Sequence, residues 1–300
     1  MRAVVIGGSG QIGSWLLRHL NARGHEASGT YNTVPYPGLV HLDGADLASG
    51  STWLRSERPD VVFFPAGFTY VDGCERDPAK ALAANRDQPL ALARVAAEQG
   101  ARFVYFSTDY VFDGEHGPDA EDAPTRPLNA YGSAKLEAER SLMGELGDAV
   151  LVARTSWVYG PERQGKNFAY QLARSLREGK SLTVPTDMIS NPSYGPDVAK
   201  AAVLLVEKGV SGLLHVAGPQ VMPRVEFARA LAEGFGLDPG LIIGHSTAEI
   251  GGTTPRPLSG GLRTDRLEAI LPGLMKRAPE AIADFRALLA ADEGFADPTR

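Results

Sequence analysis

Tyr131 and Lys135 stand four residues apart in the run Tyr-Gly-Ser-Ala-Lys, so on a helix they share one face. A phenol titrating at about 10 is a poor acid or base at neutral pH. An ammonium within reach stabilises the phenolate and makes the pair usable for moving a proton. By itself, the same spacing also describes an ordinary exposed helix face. Ser107, Thr108 and Asp109 follow the apolar run Arg102–Phe106. A hydroxyl at the carboxyl end of a parallel strand can hydrogen-bond a ligand carbonyl, or do no more than cap a turn. Gly7, Gly10 and Gly13 are spaced G-x-x-G-x-x-G between an apolar run and a helical pattern. Such a turn lets a pyrophosphate approach the free N–H groups of a helix N-terminus; the alternative is a purely structural turn.

The elements that must position these residues alternate. Apolar runs at Ala3–Ile6, Val61–Phe64, Arg102–Phe106 and Ala149–Ala153 read as buried strands, with weaker ones at Glu26–Thr30 and Leu39–Leu42. Helical spacing covers Gln11–Arg23 and Asn129–Glu145. A longer helix is predicted from Pro78 to Gln99, capped by Asp77 and kinked at Pro89. This alternation predicts an α/β fold: a Rossmann-type doubly wound parallel sheet with a smaller C-terminal substrate-binding domain. The expected boundaries are 1–155, with returns near 195–217, for the dinucleotide domain, and the remaining segments of 156–300 for the other.

Composition narrows the function. Thirty Lys and Arg against 36 Asp and Glu give a net charge of -6, with no general attraction for nucleic acid or an anionic membrane. The single cysteine, Cys74, excludes an intrachain disulfide and a cysteine metal cluster. The six histidines are scattered without ligand spacing, so no metal is expected. No apolar run is long enough for a signal peptide or a bilayer span, and a cytoplasmic location is expected. The run Gly160–Asn167 falls one residue short of a phosphate loop, lacking its Ser/Thr, and is set aside.

Taken together, the motifs resemble the dTDP-4-dehydrorhamnose reductase family of the extended short-chain dehydrogenases/reductases. The likeness lies in Gly7–Gly13, Thr69–Asp72, Ser107–Gly114, Pro127–Lys135 and Arg154–Gly160, and in Arg256-Pro257 with Leu262–Thr264. It implies an NAD(P)H-dependent reductase of a nucleotide-linked 4-keto-6-deoxy sugar. Tyr131 would protonate the sugar oxygen, and Lys135 would tune Tyr131 and bind the nicotinamide ribose. Thr108 with Asp109 would hold the sugar, and Trp157 would line its site. Gly10, Gln11 and Ile12 would meet the pyrophosphate and Asp43 the adenosine end. Pro65, Ala66 and Gly67 would pass behind the cofactor, and Arg256 would meet the substrate's phosphates. A nucleotide sugar is the implied partner, and a homodimer is compatible with the resemblance.

The chain departs from the family at Phe64–Gly67, where a polar-and-alanine run is expected. It departs again at Thr30, where an NAD site would carry an acid and an NADP site a nearby Arg. NAD and NADP are therefore both open. Two rival readings use the same residues. One is a nucleotide-sugar 4-epimerase. The other is a non-catalytic dinucleotide-binding subunit similar to the regulatory beta subunit of methionine adenosyltransferase.

Overall fold

The computed structural model describes residues 1–252, 254–291 and 294–295. The chain divides into two compact units. The first comprises residues 1–112, 124–154 and 199–214; the second holds residues 113–123, 155–198 and the chain from His215 onward.

The first unit is built on β1 (Arg2–Val5), α1 (Gln11–Ala22), β2 (Glu26–Tyr31), β3 (Val40–His41), α2 (Leu47–Glu57) and β4 (Val61–Phe64). It continues through α3 (Val71–Arg76), α4 (Pro78–Leu82), α5 (Gln88–Glu98), β5 (Arg102–Thr108), α6 (Ala130–Leu146) and β6 (Val150–Thr155). A last strand, Gly212–His215, joins the edge beside β6. From that edge the order is β6-β5-β4-β1-β2-β3, the arrangement of a Rossmann sheet. The pairs β1–β2, β1–β4, β2–β3 and β4–β5 are all parallel. Every residue of β4 and of β6 is buried, as expected for strands covered on both faces.

The predicted helix over 78–99 exists, but its kink takes another form. After α4 the chain makes a π turn over Ala83–Asp87 before α5 resumes. Pro89 has no N–H to return to the carbonyl of Asn85, and a π turn absorbs that break in the ladder. Asp77 does cap the segment, accepting from the amide of Lys80 at 3.0 Å. The strand predicted over Arg102–Phe106 runs on to Thr108, so Ser107 and Thr108 lie within β5 rather than after it.

The second unit centres on helices Phe168–Arg177, Arg224–Gly234 and Ala278–Ala291. Phe285 sits between Tyr170 and Phe235, with ring centroids 5.6 and 5.3 Å away. Strand Leu182–Pro185 pairs in parallel with Ile242–His245. Segment 113–123 is held in this unit by hydrogen bonds from Gly117 to Ser259 and from Arg263 to Asp119. The run set aside as a phosphate loop is closed by a carboxylate of its own. Glu162 Oε1 accepts from the backbone amides of Lys166 and Asn167 at 2.8 and 2.7 Å. Among the described residues, no helix is long and apolar enough to cross a membrane. Nor does any group of three His, Cys, Asp or Glu among them fit a metal ion.

Candidate active site

The turn from β1 to α1 is closed by contact. Gly10 donates to the carbonyl of Gly7 at 3.0 Å. A Cβ at Gly13 would lie 2.1 Å from that same carbonyl oxygen, so only glycine lets α1 start here. Gly10 caps α1 without any side-chain hydrogen bond, which leaves the first-turn N–H groups for another partner. Gln11 and Ile12 are half-buried, and Gln11 Nε2 is a buried donor with no hydrogen-bond partner. Thr30 is only 2% exposed, and its hydroxyl accepts from the amide of Gly7 at 3.0 Å. It therefore braces the glycine turn from beneath and is not the open ribose-facing position expected of it. Past it along β2, Tyr31 is half-buried and Asn32 is exposed. Asp43 is exposed and accepts from the amide of Ala45 at 2.9 Å, in a local turn.

Tyr131 and Lys135 are both buried on α6, not on an exposed helix face. Asn129 starts the helix by accepting from the amide of Gly132 at 2.9 Å. Gly132 has a packing role, since a Cβ there would lie 2.2 Å from the carbonyl oxygen of Tyr110. This close approach lays α6 against the end of β5 and sets the Tyr131 phenol beside the Thr108 hydroxyl. Thr108 also donates to Asp109 Oδ1 at 3.2 Å and accepts from the amide of Tyr110. The Tyr110 ring meets Tyr131 edge-on at 5.7 Å. Burial holds the Tyr131 phenol above the usual tyrosine range; Thr108 opposes the shift, and Asp109 and Tyr110 add to it.

Lys135 Nζ donates to the carbonyl of Phe106 at 2.9 Å and lies 4.5 Å from the centre of the Tyr105 ring. Burial pulls its ammonium down to about 7, against Glu139 and Cys74, which raise it. The backbone of Gly67 passes beside it, so that a Cβ there would lie 3.6 Å from Nζ. Pro65 and Ala66 are half-buried, and Gly7 packs on Ala66. The structure thus gathers Thr108, Asp109, Tyr131, Lys135 and Gly67. The glycine turn meets the same segment through Ala66.

Trp157 and Arg256 belong to the second unit, both half-buried. Trp157 has a φ of +38°, a left-handed conformation that is a strained outlier for a bulky side chain. The guanidinium of Arg224 lies over its ring at 4.7 Å.

Sequence reasoning missed Asn85 and Glu139. Asn85, wholly buried in the π turn, accepts from the amide of Phe68 and donates to its carbonyl, both at 3.0 Å. Its signal was Pro89, four residues on. Glu139 forms a buried pair with Arg154. Its position four residues after Lys135 could have suggested it.

A doubly wound sheet, a tight glycine turn and a buried tyrosine–lysine pair define a Rossmann-type α/β reductase. The chain belongs to the RmlD substrate binding domain family, whose model matches residues 1–288. It is 33% identical to the probable low-salt glycan biosynthesis reductase Agl14 of Haloferax volcanii, over 90% of this chain and 92% of that one. It is 34% identical to a dTDP-4-dehydrorhamnose reductase of Mycobacterium tuberculosis, over 85% of this chain and 82% of that one. Among solved structures, it superposes on the dTDP-4-dehydrorhamnose reductase of Bacillus anthracis in complex with NADP. That match has a TM-score of 0.86 and 26% identity, and covers 95% and 98% of the two chains.

Proposed function

We propose that the chain is an NAD(P)H-dependent reductase of a nucleotide-linked 4-keto-6-deoxy sugar, with Tyr131 as proton donor. The observation that carries this reading is the buried Tyr131 phenol, set beside Thr108 and one helical turn from Lys135. The relatives named as dTDP-4-dehydrorhamnose reductases support the sugar class, and the NADP complex of one of them supports the cofactor.

The residues present fit a dinucleotide. The uncapped start of α1 and the unpartnered Gln11 amide are donors awaiting an acceptor. Gly7, Gly10, Gln11, Ile12 and Gly13 would hold the pyrophosphate, Asp43 the adenosine end, and Lys135 the nicotinamide ribose. Pro65, Ala66 and Gly67 would wall the cofactor. When bound, NAD(P)H supplies the hydride that reduces the sugar carbonyl. Thr30 carries no charge and is committed to Gly7, so the C-terminal end of β2 offers neither an acid nor a base to choose between the two cofactors.

Tyr131 stays protonated at neutral pH because burial disfavours its anion. It can therefore donate to a keto oxygen as negative charge develops there. Thr108, beside Tyr131, would polarise the same oxygen by turning to it the one hydroxyl proton that it shares here with Asp109 Oδ1. Trp157 and Arg256 are the second unit's contributions to holding the sugar and its phosphates.

Mixing the protein with NADH or NADPH and a dTDP-4-keto-6-deoxy sugar tests the reading directly. Steady oxidation of the cofactor, matched by reduced sugar, is the expected result. Tight dinucleotide binding without turnover would instead favour the regulatory-subunit reading.

A further inference from the structure

Two sets of contacts hold Trp157 within the second unit, one on its backbone and one on its ring. Its carbonyl accepts from the amide of Ser193 at 3.3 Å, and the hydroxyl of the preceding Ser156 donates to the carbonyl of Asn191 at 2.8 Å. Val158, the next residue, pairs with Ser193. These bonds fix the turn and leave the indole to its side-chain neighbours. A bulky residue at a φ of +38° persists only where its surroundings over-determine it. On the ring side the constraint is Arg224. Its guanidinium carbon lies 4.7 Å from the centre of the indole and 4.0 Å from the centre of the Phe168 ring.

Helix stability does not call for an arginine here. Arg224 is the first residue of helix Arg224–Gly234, at the end where the backbone carries partial positive charge and a cation is unfavourable. Both of its neighbours in the stack are anchored. The Arg224 amide donates to the carbonyl of Met188 at 2.8 Å, which fixes the backbone that carries the side chain. The Phe168 ring lies 6.2 Å from Phe227, which meets Tyr159 edge-on at 4.8 Å in the core of this unit. A continuous stack therefore runs from the core through Phe168 and Arg224 to a half-buried indole. A single arginine against a single ring is an ordinary surface contact. A planar guanidinium serving two rings, one of them on a strained backbone, is a clamp.

We propose that Arg224 is a positioning residue that clamps the Trp157 indole in the one orientation in which the ring meets the substrate's sugar. The proposal deepens the reductase reading and rests on it for what Trp157 meets. Arg224 touches neither sugar nor cofactor in this scheme and acts through the ring. An unclamped indole would visit several rotamers, and the fraction in the competent one divides directly into the apparent affinity. The clamp removes that loss before the sugar arrives. The flat guanidinium matters because a lysine ammonium is a point charge on a flexible stem and cannot lie along two rings in the same way.

The test joins kinetics to 19F NMR on the full chain labelled with 5-fluorotryptophan, the Trp157 signal being the one absent in Trp157→Phe. Arg224→Met keeps the length of the side chain and removes its charge and its flat face. It should raise KM for a dTDP-4-keto-6-deoxy sugar about tenfold, as the competent fraction of rings falls to about a tenth, with kcat and NADPH affinity close to wild type. Its Trp157 signal should show a larger H2O/D2O isotope shift, while those of Trp15 and Trp53 keep theirs. Arg224→Lys should fall between Arg224→Met and wild type in both readouts. In a Trp157→Ala background, Arg224→Met should add nothing further to KM. An unchanged KM in Arg224→Met, losses that add in the double variant, or a Trp157 signal indifferent to Arg224→Met each overturn the proposal. A wild type that reduces no keto sugar would overturn the reductase reading instead, while the 19F signal would still decide whether Arg224 holds the ring.

Discussion

Tyr105 Oη donates to the backbone carbonyl of Asn85 at 2.6 Å, taking the acceptor that Pro89 leaves without its helical donor. One strand residue thereby secures the π turn, and the Asn85 side chain in that turn holds the Phe68 backbone just after the Pro65–Gly67 wall. Tyr105→Phe should destabilise the protein by about 1–3 kcal/mol, the cost of a buried carbonyl left unpaired. Pro89→Ala restores an N–H at the right position. In the Tyr105→Phe background it should recover part of that loss, so a double-mutant cycle by urea denaturation should show coupling.

Tyr131→Phe removes one hydroxyl and leaves the ring packed against Tyr110. It should lower kcat for keto-sugar reduction about 10²–10⁴-fold while leaving NAD(P)H affinity nearly unchanged. Stopped-flow single turnovers would read the chemical step. A wild-type rate there would remove Tyr131 as the proton donor.

Lys135 predicts an inverted pH dependence of stability. Its folded value of about 7 lies below the ordinary lysine value of about 10.4. Between these limits the unfolded chain binds more protons, so the lysine's contribution to stability rises with pH. Its burial penalty is complete below the folded value and vanishes above the unfolded one. Lys135→Met should therefore raise Tm, by roughly 5 °C or more at pH 6, with the gain shrinking towards pH 10. Scanning calorimetry across that range checks the sign. A gain that grows with pH would contradict the burial of an ammonium here.

Gly13→Ala places a methyl group 2.1 Å from the Gly7 carbonyl oxygen, and backbone cannot yield as a side chain can. A loss of roughly 2–4 kcal/mol in folding stability is expected, with dinucleotide affinity falling further than Tm alone explains. Gly144→Ala is the control, since open space surrounds that position on α6 and its φ is not positive. It should be neutral or slightly stabilising.

The readable parts of this protein are those whose cause is local. Continuous apolar runs gave β4 and β6, and the glycine spacing gave the turn before α1. The four-residue interval placed Tyr131 and Lys135 on one helix face. Thr30 was misjudged because its partner, the Gly7 amide, lies on the neighbouring strand's exit and leaves no mark near residue 30. The Glu139–Arg154 pair left one mark only, the four-residue step from Lys135 to Glu139; nothing local joins that residue to Arg154 until the two side chains meet. Pro89 did announce a break in its helix, but not that Tyr105, sixteen residues later in the chain, would make a π turn tenable.

The sheet's edge carries a consequence for how the chain is made. β6 ends at Thr155, yet the strand that covers its outer edge begins only at Gly212. At about 5–20 residues per second, a ribosome needs roughly 3–11 s to supply the intervening stretch. Throughout that interval, a nascent first unit exposes the unpaired edge of Val150–Thr155, a strand that ends up wholly buried. An apolar edge of this kind is a template for pairing with another chain. Slow codons between 156 and 211 should therefore raise the aggregated fraction of newly made protein, and a chaperone that shields strand edges should act on this nascent chain before residue 212 emerges.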